Sequence, residues 1–514
     1  MVYWLGAFSA AARLQAAIDV TREWFTPPVV PENYAQPVRY EVTITGNPAS
    51  VNFEYNGADR PMFDDGTHGD LIAGDGTWTI LFQPNEILSK LTSAWVYRPF
   101  IGYVKPAGAG FQLNAFAEIW TSSVGLTSIA PVDSGTQQTE YIINFVASAS
   151  QLLNFDVVFW SQRFYAVHGD KFDFLNFVEI AGRRGNRGQD DVKNDVLGIG
   201  KPALDLTAQF GSSGRLKGYV LYPLSSFYDG GSPGFCHETG HQWINYLSQT
   251  PFASGIPHWP KGDVAINVMG VSLSGGVGGE YNYTFSPNGQ GGYVVGAGNP
   301  INLSTFNSME LYLMGLVPPA NVNTFFVLKH QNLNLTVGQT LQPADITLVT
   351  VDDVIAAQGP RVPNSTASQK TFRTATVVLS EQLLDPYSMS LYDWFARRVE
   401  AKEQLAYAEG FETGTCNPFY LATGGRAVMF SRIKDETPKL GISRLPSGEV
   451  SLGFVAKLGI RYQPQASGDL RTWLNEGPVV TASVTTPPGD VPLRITVTPP
   501  PASQQSFYRL LLLY

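Results

Sequence analysis

His237-Glu238-Thr239-Gly240-His241 sets two imidazoles four residues apart, with a carboxylate beside the first. Positions four apart share one face of a helix, so both rings can reach a single divalent ion. Glu238 lies about 100° round the helix from His237. From there it can hold and deprotonate a water on that ion without being a ligand. The chemistry this serves is hydrolysis: zinc lowers the pKa of its water to about 7 and polarises a carbonyl. The same spacing also arises on ordinary amphipathic helices. Two features favour the metal reading. Only six histidines occur in 514 residues, and two of them are here. Gly240, inside the helix, costs roughly 1 kcal/mol relative to Ala, which suggests that something must approach closely.

The elements that would position these groups are legible nearby. Ser232 followed by Pro233 is an N-cap with proline at the first helical position, and Pro251 stops the pattern. Just upstream, Arg215-Leu-Lys-Gly-Tyr-Val-Leu-Tyr222 reads as a strand. Its Lys and Arg suit a sheet edge, on which extended substrate would add as a further strand.

Catalytic zinc takes three protein ligands and a water. A glycine three places and a histidine six places after His241 would complete one known pattern, but Ile244 and Leu247 stand there. Glu310 is the first choice for the third ligand. It is the only charged residue between Glu280 and Lys329, among Phe306, Leu313 and Met314 on a short helix ended by Gly315. An ionised carboxylate on so apolar a face costs several kcal/mol unless paired. The alternative is a Glu favoured by the helix dipole. His258, in Ile256-Pro-His-Trp-Pro260, is the rival. Without ligating, it would serve catalysis by donating to the developing oxyanion. Asp263 and Glu280 follow as ligands, and Tyr312 as an oxyanion donor. Met269, in Asn267-Val-Met-Gly270, suits a turn beneath the site, although a lone Met is more often core filler. His168 and His330 read as structural.

These blocks resemble a group of secreted bacterial zincin-type metallopeptidases. The group carries HExGHxW, HW, SxMxG and (D/E)xYLMGL blocks. They correspond to His237–Trp243, Pro257-His-Trp259, Val268-Met-Gly270 and Met309–Leu316. The similarity spans roughly residues 155 to 432, with Gly198-Ile-Gly200 and Ala422–Arg426 inside it. Where this chain has Glu310, that group often has Asp. The resemblance implies a zincin fold, with the active helix under a mixed sheet, and Zn²⁺ as cofactor.

Composition bounds the rest. At 514 residues, two to four domains are expected. Net charge is −9 and no Lys/Arg run exceeds a pair such as Arg183-Arg184, which argues against nucleic acid. No apolar run reaches eighteen residues, so no membrane span is expected. The apolar first residues lack a basic region; a secreted location is expected nonetheless, with a signal removed. Cys236 and Cys416 would pair only outside the cytosol. The expectation is a multidomain α+β protein, monomeric, acting on protein or peptide.

Its parts are an N-terminal helix and linker (1–32, the helix over 13–25), an Ig-like β-sandwich (33–125), a zincin-like catalytic domain (126–445) and a small C-terminal β-sandwich (446–514). In the catalytic domain 155–160 reads as a β-rich apolar run and 190–195 as a loop. Residues 270–298 read as a Gly-rich flap or surface loop, and 389–410 as a long packing helix. Asp64, Asp65, Asp70 and Asp75, in a Gly-rich loop, offer hard oxygens to Ca²⁺. A set of Asx turns is the preferred reading of that loop. The runner-up function is an inactive zincin serving as a surface adhesin or glycan-binding protein, suggested by the two sandwiches and the Tyr/Gly-rich loop.

Overall fold

The computed structural model describes residues 17–88, 100–110, 113–120, 125–181, 185–223, 226–270, 283–407, 414–434, 440–456, 461–481, 491–497 and 506–513. The chain is multidomain and strand-rich, with separate hydrophobic cores.

In the N-terminal part, period-two alternation builds two sheets. One orders Asp19–Thr26, Val38–Thr45 and Thr77–Phe82. The other orders Val29–Pro31, Leu113–Trp120, Phe100–Pro106, Val51–Tyr55 and Ala58–Pro61. Tyr40, Phe53, Ile80 and Phe82 fill the space between them. The helix expected over 13–25 is corrected: from Asp19 the chain is a strand paired with Val38–Thr45. A bulge between Val20 and Arg22 breaks the alternation, so the strand shows no clean period of two. Residues 13–16 lie outside the described residues.

The central part is built on one mixed sheet, ordered Gly188–Asp191, Gly218–Tyr222, Phe174–Glu179, Thr371–Ser380, Ile142–Val146, Thr136–Gln138 and Ala130–Asp133. The second to fifth strands run parallel. Gly188–Asp191 closes the sheet antiparallel to Gly218–Tyr222. A core lies on each face; hence Thr371–Ser380 is buried along nearly its whole length, as an inner parallel strand must be.

Four local expectations change here. Residues 155–160 do not form a strand: Asp156 caps the helix Val157–Val167 by accepting from the Phe159 N–H. Residues 190–195 are not all loop, because Gly188–Asp191 is a strand. Nor does 215–222 form the edge; Gly218–Tyr222 is flanked on both sides. The polar Gly188–Asp191 segment takes the edge instead, where charges guard against unwanted pairing. The long helix is shorter than expected, Pro386–Arg397 behind an Asp385 cap, then one 3₁₀ turn, Arg398–Glu400; residues 408–410 lie outside the described residues. Within 270–298, Tyr283–Pro287 and Tyr293–Ala297 pair as a hairpin, and residues 271–282, with Glu280 and Tyr281, lie outside the description.

The C-terminal part has two antiparallel sheets. Gly441–Arg444, Val450–Ala456 and Val491–Val497 form one, and Arg461–Ser467 with Phe507–Leu513 centres the other. Leu452, Tyr462 and Ile495 share their core.

Candidate metal centre

Ser232 accepts from the Phe235 N–H at 3.3 Å, and Pro233 opens the helix Pro233–Gly240. His241 follows with backbone still helical (φ −59°, ψ −15°), so the two rings keep their one-turn offset. The Nε2 atoms of His237 and His241 lie 3.2 Å apart. His258, brought round by a 3₁₀ turn at Phe252–Gly255, places its Nε2 3.1 Å from that of His237. Three ligands about 2.05 Å from a tetrahedral ion stand about 3.3 Å apart. The cluster therefore has the spacing of one ion's ligand set. His237 Nδ1 donates to the Val268 carbonyl at 2.8 Å, so its Nε2 keeps a free lone pair. Burial pushes His237 and His258 down to about 4, and His241 well below the usual range. All three rings are thus neutral near pH 7, the form that binds metal.

His258, and not Glu310, stands with His237 and His241 in the cluster. Glu310 is fully buried, yet both of its oxygens are engaged elsewhere. Oε1 accepts from Trp259 Nε1 at 2.8 Å and Oε2 from the Asn307 N–H at 2.7 Å. The Asn307 side chain in turn accepts from the Glu310 N–H. This is a reciprocal capping box, opening the helix Ser308–Leu313. Burial pushes Glu310 up to about 8, against those two N–H donors. Its link to the site is indirect: it fixes the indole next to His258. His258, considered also as a donor to an oxyanion, stands within the cluster. Asp263 accepts from the Phe326 N–H, and the Tyr312 hydroxyl meets the Arg361 N–H. Neither joins the cluster, and Glu280 is not described.

Glu238 is buried, and burial raises its pKa against the opposing charge of Arg187. Arg187 Nε stands 3.3 Å from Glu238 Oε1. That guanidinium crosses the helix at Gly234, where a Cβ would lie 2.6 Å from its Cζ. Sequence reasoning missed Arg187; a second glycine within the helix was the only signal.

The close approach expected at Gly240 is Met269. A Cβ there would fall 2.5 Å from Met269 Sδ and 3.1 Å from Phe306. The turn Asn267–Gly270 thus supports the helix from below while its Val268 carbonyl orients His237. Lys201, also missed, donates to the His241 and Gln242 carbonyls at 2.8 and 3.3 Å and pairs with Asp191 on the edge strand. Gly200 beside it leaves room for the Tyr246 carbonyl, 2.2 Å from where a Cβ would sit. Cys236 and Cys416 are buried and form no disulfide. Burial pushes Cys236 far up, so it holds no thiolate for a metal.

His168 follows the helix Val157–Val167 as its C-cap, and His68 stacks on Phe63. Neither approaches the cluster. Compared with family models, with curated proteins and with solved structures, the chain matches none.

Proposed function

We propose that the chain is a zinc-dependent endopeptidase of zincin type, with His237, His241 and His258 as ligands and Glu238 as general base. The observation that carries this reading is the meeting of three Nε2 atoms, at 3.1 and 3.2 Å along the chain of contacts, on the helix that bears Glu238. Three neutral imidazoles leaving a fourth position open suit Zn²⁺. Zinc bound there supplies Lewis-acid activation of water and of a peptide carbonyl.

The residues of the chain do the remainder. Glu238 accepts the proton of the attacking water and delivers it to the departing amine, an exchange that its raised pKa favours. Arg187 holds the Glu238 carboxylate in place and offsets the cost of burying its charge. Gly188–Asp191, outermost in the sheet among the described residues, offers an edge along which an extended peptide aligns. Trp259, anchored by Glu310, keeps the His258 loop against the helix.

The test combines metal analysis of purified protein with digestion of a peptide library by wild type and Glu238→Gln. One zinc per chain is expected in both proteins, with hydrolysis lowered at least about 100-fold in the variant. Equal cleavage by both would remove the role given to Glu238.

A further inference from the structure

Glu179 ends the inner parallel strand Phe174–Glu179, in register with Leu379 of its neighbour. It is 6% exposed, and its Oε1 is buried with no hydrogen-bond partner. Among the described residues no Lys, Arg or His pairs with it, and burial alone drives its pKa up, to about 8. A carboxyl oxygen left so is costly even when the group is neutral. Nothing in the zinc site uses it.

Glu179 lines a cleft of about 90 Å³ between the N-terminal sandwich and the central sheet. That cleft opens outside the carboxyl ends of parallel strands, where open α/β sheets hold their ligands. Its walls are Trp24 and Phe25 from one side and Phe227, Tyr228 and Tyr392 from the other. A second acid, Glu23, lines it too, held by the Tyr40 hydroxyl. The ring faces are electron-rich and attract cations. Trp24 already shows this with Arg22, whose guanidinium lies 3.6 Å from the ring centroid and pairs with Glu381. Among the described residues neither Glu179 nor Glu23 belongs to a group of three metal-ligand atoms, so a bare metal ion fits poorly. An organic cation fits both halves, since its N–H groups satisfy the acid while its carbon frame meets the rings.

We propose that this cleft binds an alkylammonium or guanidinium group, held by Glu179 and boxed by the aromatic walls. The group is either a basic side chain of another polypeptide or a free amine. The proposal is independent of peptide hydrolysis and of the zinc site.

Calorimetric titration of the full-length chain, before and after chelator treatment, is the test. The probes are n-butylammonium, ethylguanidinium, and a capped Ala-Ala-Lys-Ala-Ala peptide beside its norleucine counterpart. Saturable one-to-one binding of the cationic probes is expected, unchanged by the chelator and absent for norleucine. Tighter binding of the lysine peptide than of butylammonium assigns the site to protein side chains, and the reverse assigns it to free amines; both uphold the site.

Glu179→Gln keeps the shape and should weaken binding at least tenfold, with thermal stability equal to or above wild type. Trp24→Leu, on the opposite and half-exposed wall, should weaken it several-fold. Absence of saturable binding by every cationic probe overturns the proposal, as does undiminished binding by Glu179→Gln.

Discussion

Among the described residues, two groups bring three ligand atoms each within 4.8 Å: His237, His241 and His258, and Asp64, Asp70 and Asp75. They differ in what those atoms already do. In the acidic loop the carboxylate oxygens are hydrogen-bond acceptors for their own backbone. Asp64 takes the N–H groups of Gly74, Asp75 and Gly76, Asp70 those of Gly66 and Ile72, and Asp75 that of Thr77. Asp65 likewise accepts from Thr67. The bonds of Asp65, Asp70 and Asp75 to the N–H two residues on are Asx turns, and Asp64 ties the far end of the loop back to its start. In the histidine cluster, His237 spends its far nitrogen on a carbonyl, and the three near nitrogens face only one another. Proximity of ligand atoms is common to both regions, whereas the backbone N–H groups that the acidic oxygens already accept distinguish one.

The sharpest way to break this contrast is His258→Ala. Groups that merely orient ligands cost about 10–100-fold in metal affinity when lost, so removing a ligand should exceed about 100-fold. Competition with a chromophoric chelator measures it, and an unchanged affinity would return the third position to another group.

Glu310→Gln separates a ligand from a support. Its amide must point an NH₂ at one of two N–H donors, so stability should fall by about 1–3 kcal/mol in denaturant titration. Zinc affinity should stay within about tenfold. A collapse of affinity with the fold intact would make Glu310 a ligand after all.

Gly240→Ala tests the floor of the site. Helix propensity alone would stabilise by about 1 kcal/mol. Contact with Met269 should reverse the sign and cost about 1–3 kcal/mol, read from the unfolding midpoint. At the weak end, millimolar Ca²⁺ should shift the midpoint of wild type by less than about 0.5 kcal/mol. Asp64→Ala should cost about 1 kcal/mol whether or not Ca²⁺ is present. A Ca²⁺-dependent gain that vanishes in Asp64→Ala would put the acidic loop on a par with the histidines.

What was legible follows the range of the interactions. Ser232, Pro233 and the two histidines lie within one short helix, so their geometry was readable locally. His258 needed a loop to close over seventeen residues, and nothing in its neighbours fixes where that loop lands. Glu310 had a local signature, Asn307-Ser-Met-Glu310, of an N-cap with Glu at the third helical position. Treating its isolation among apolar residues as a need for metal passed over the backbone and indole N–H groups that satisfy it. The edge strand Gly188–Asp191 is short and polar, like a loop in sequence; its pairing with Gly218–Tyr222 makes it a strand. The same holds for Asp19–Thr26, whose bulge hides its period.

One ammonium group joins two elements of the candidate metal centre. Lys201 Nζ touches the carboxylate of Asp191, on the sheet margin, and the carbonyl that closes the histidine helix. Wall and floor are thereby pinned at a single point. Under the proposed peptidase reading, a polypeptide laid on that margin would inherit its offset from the imidazoles, and the bond presented for cutting would be set by a residue that touches neither metal nor peptide.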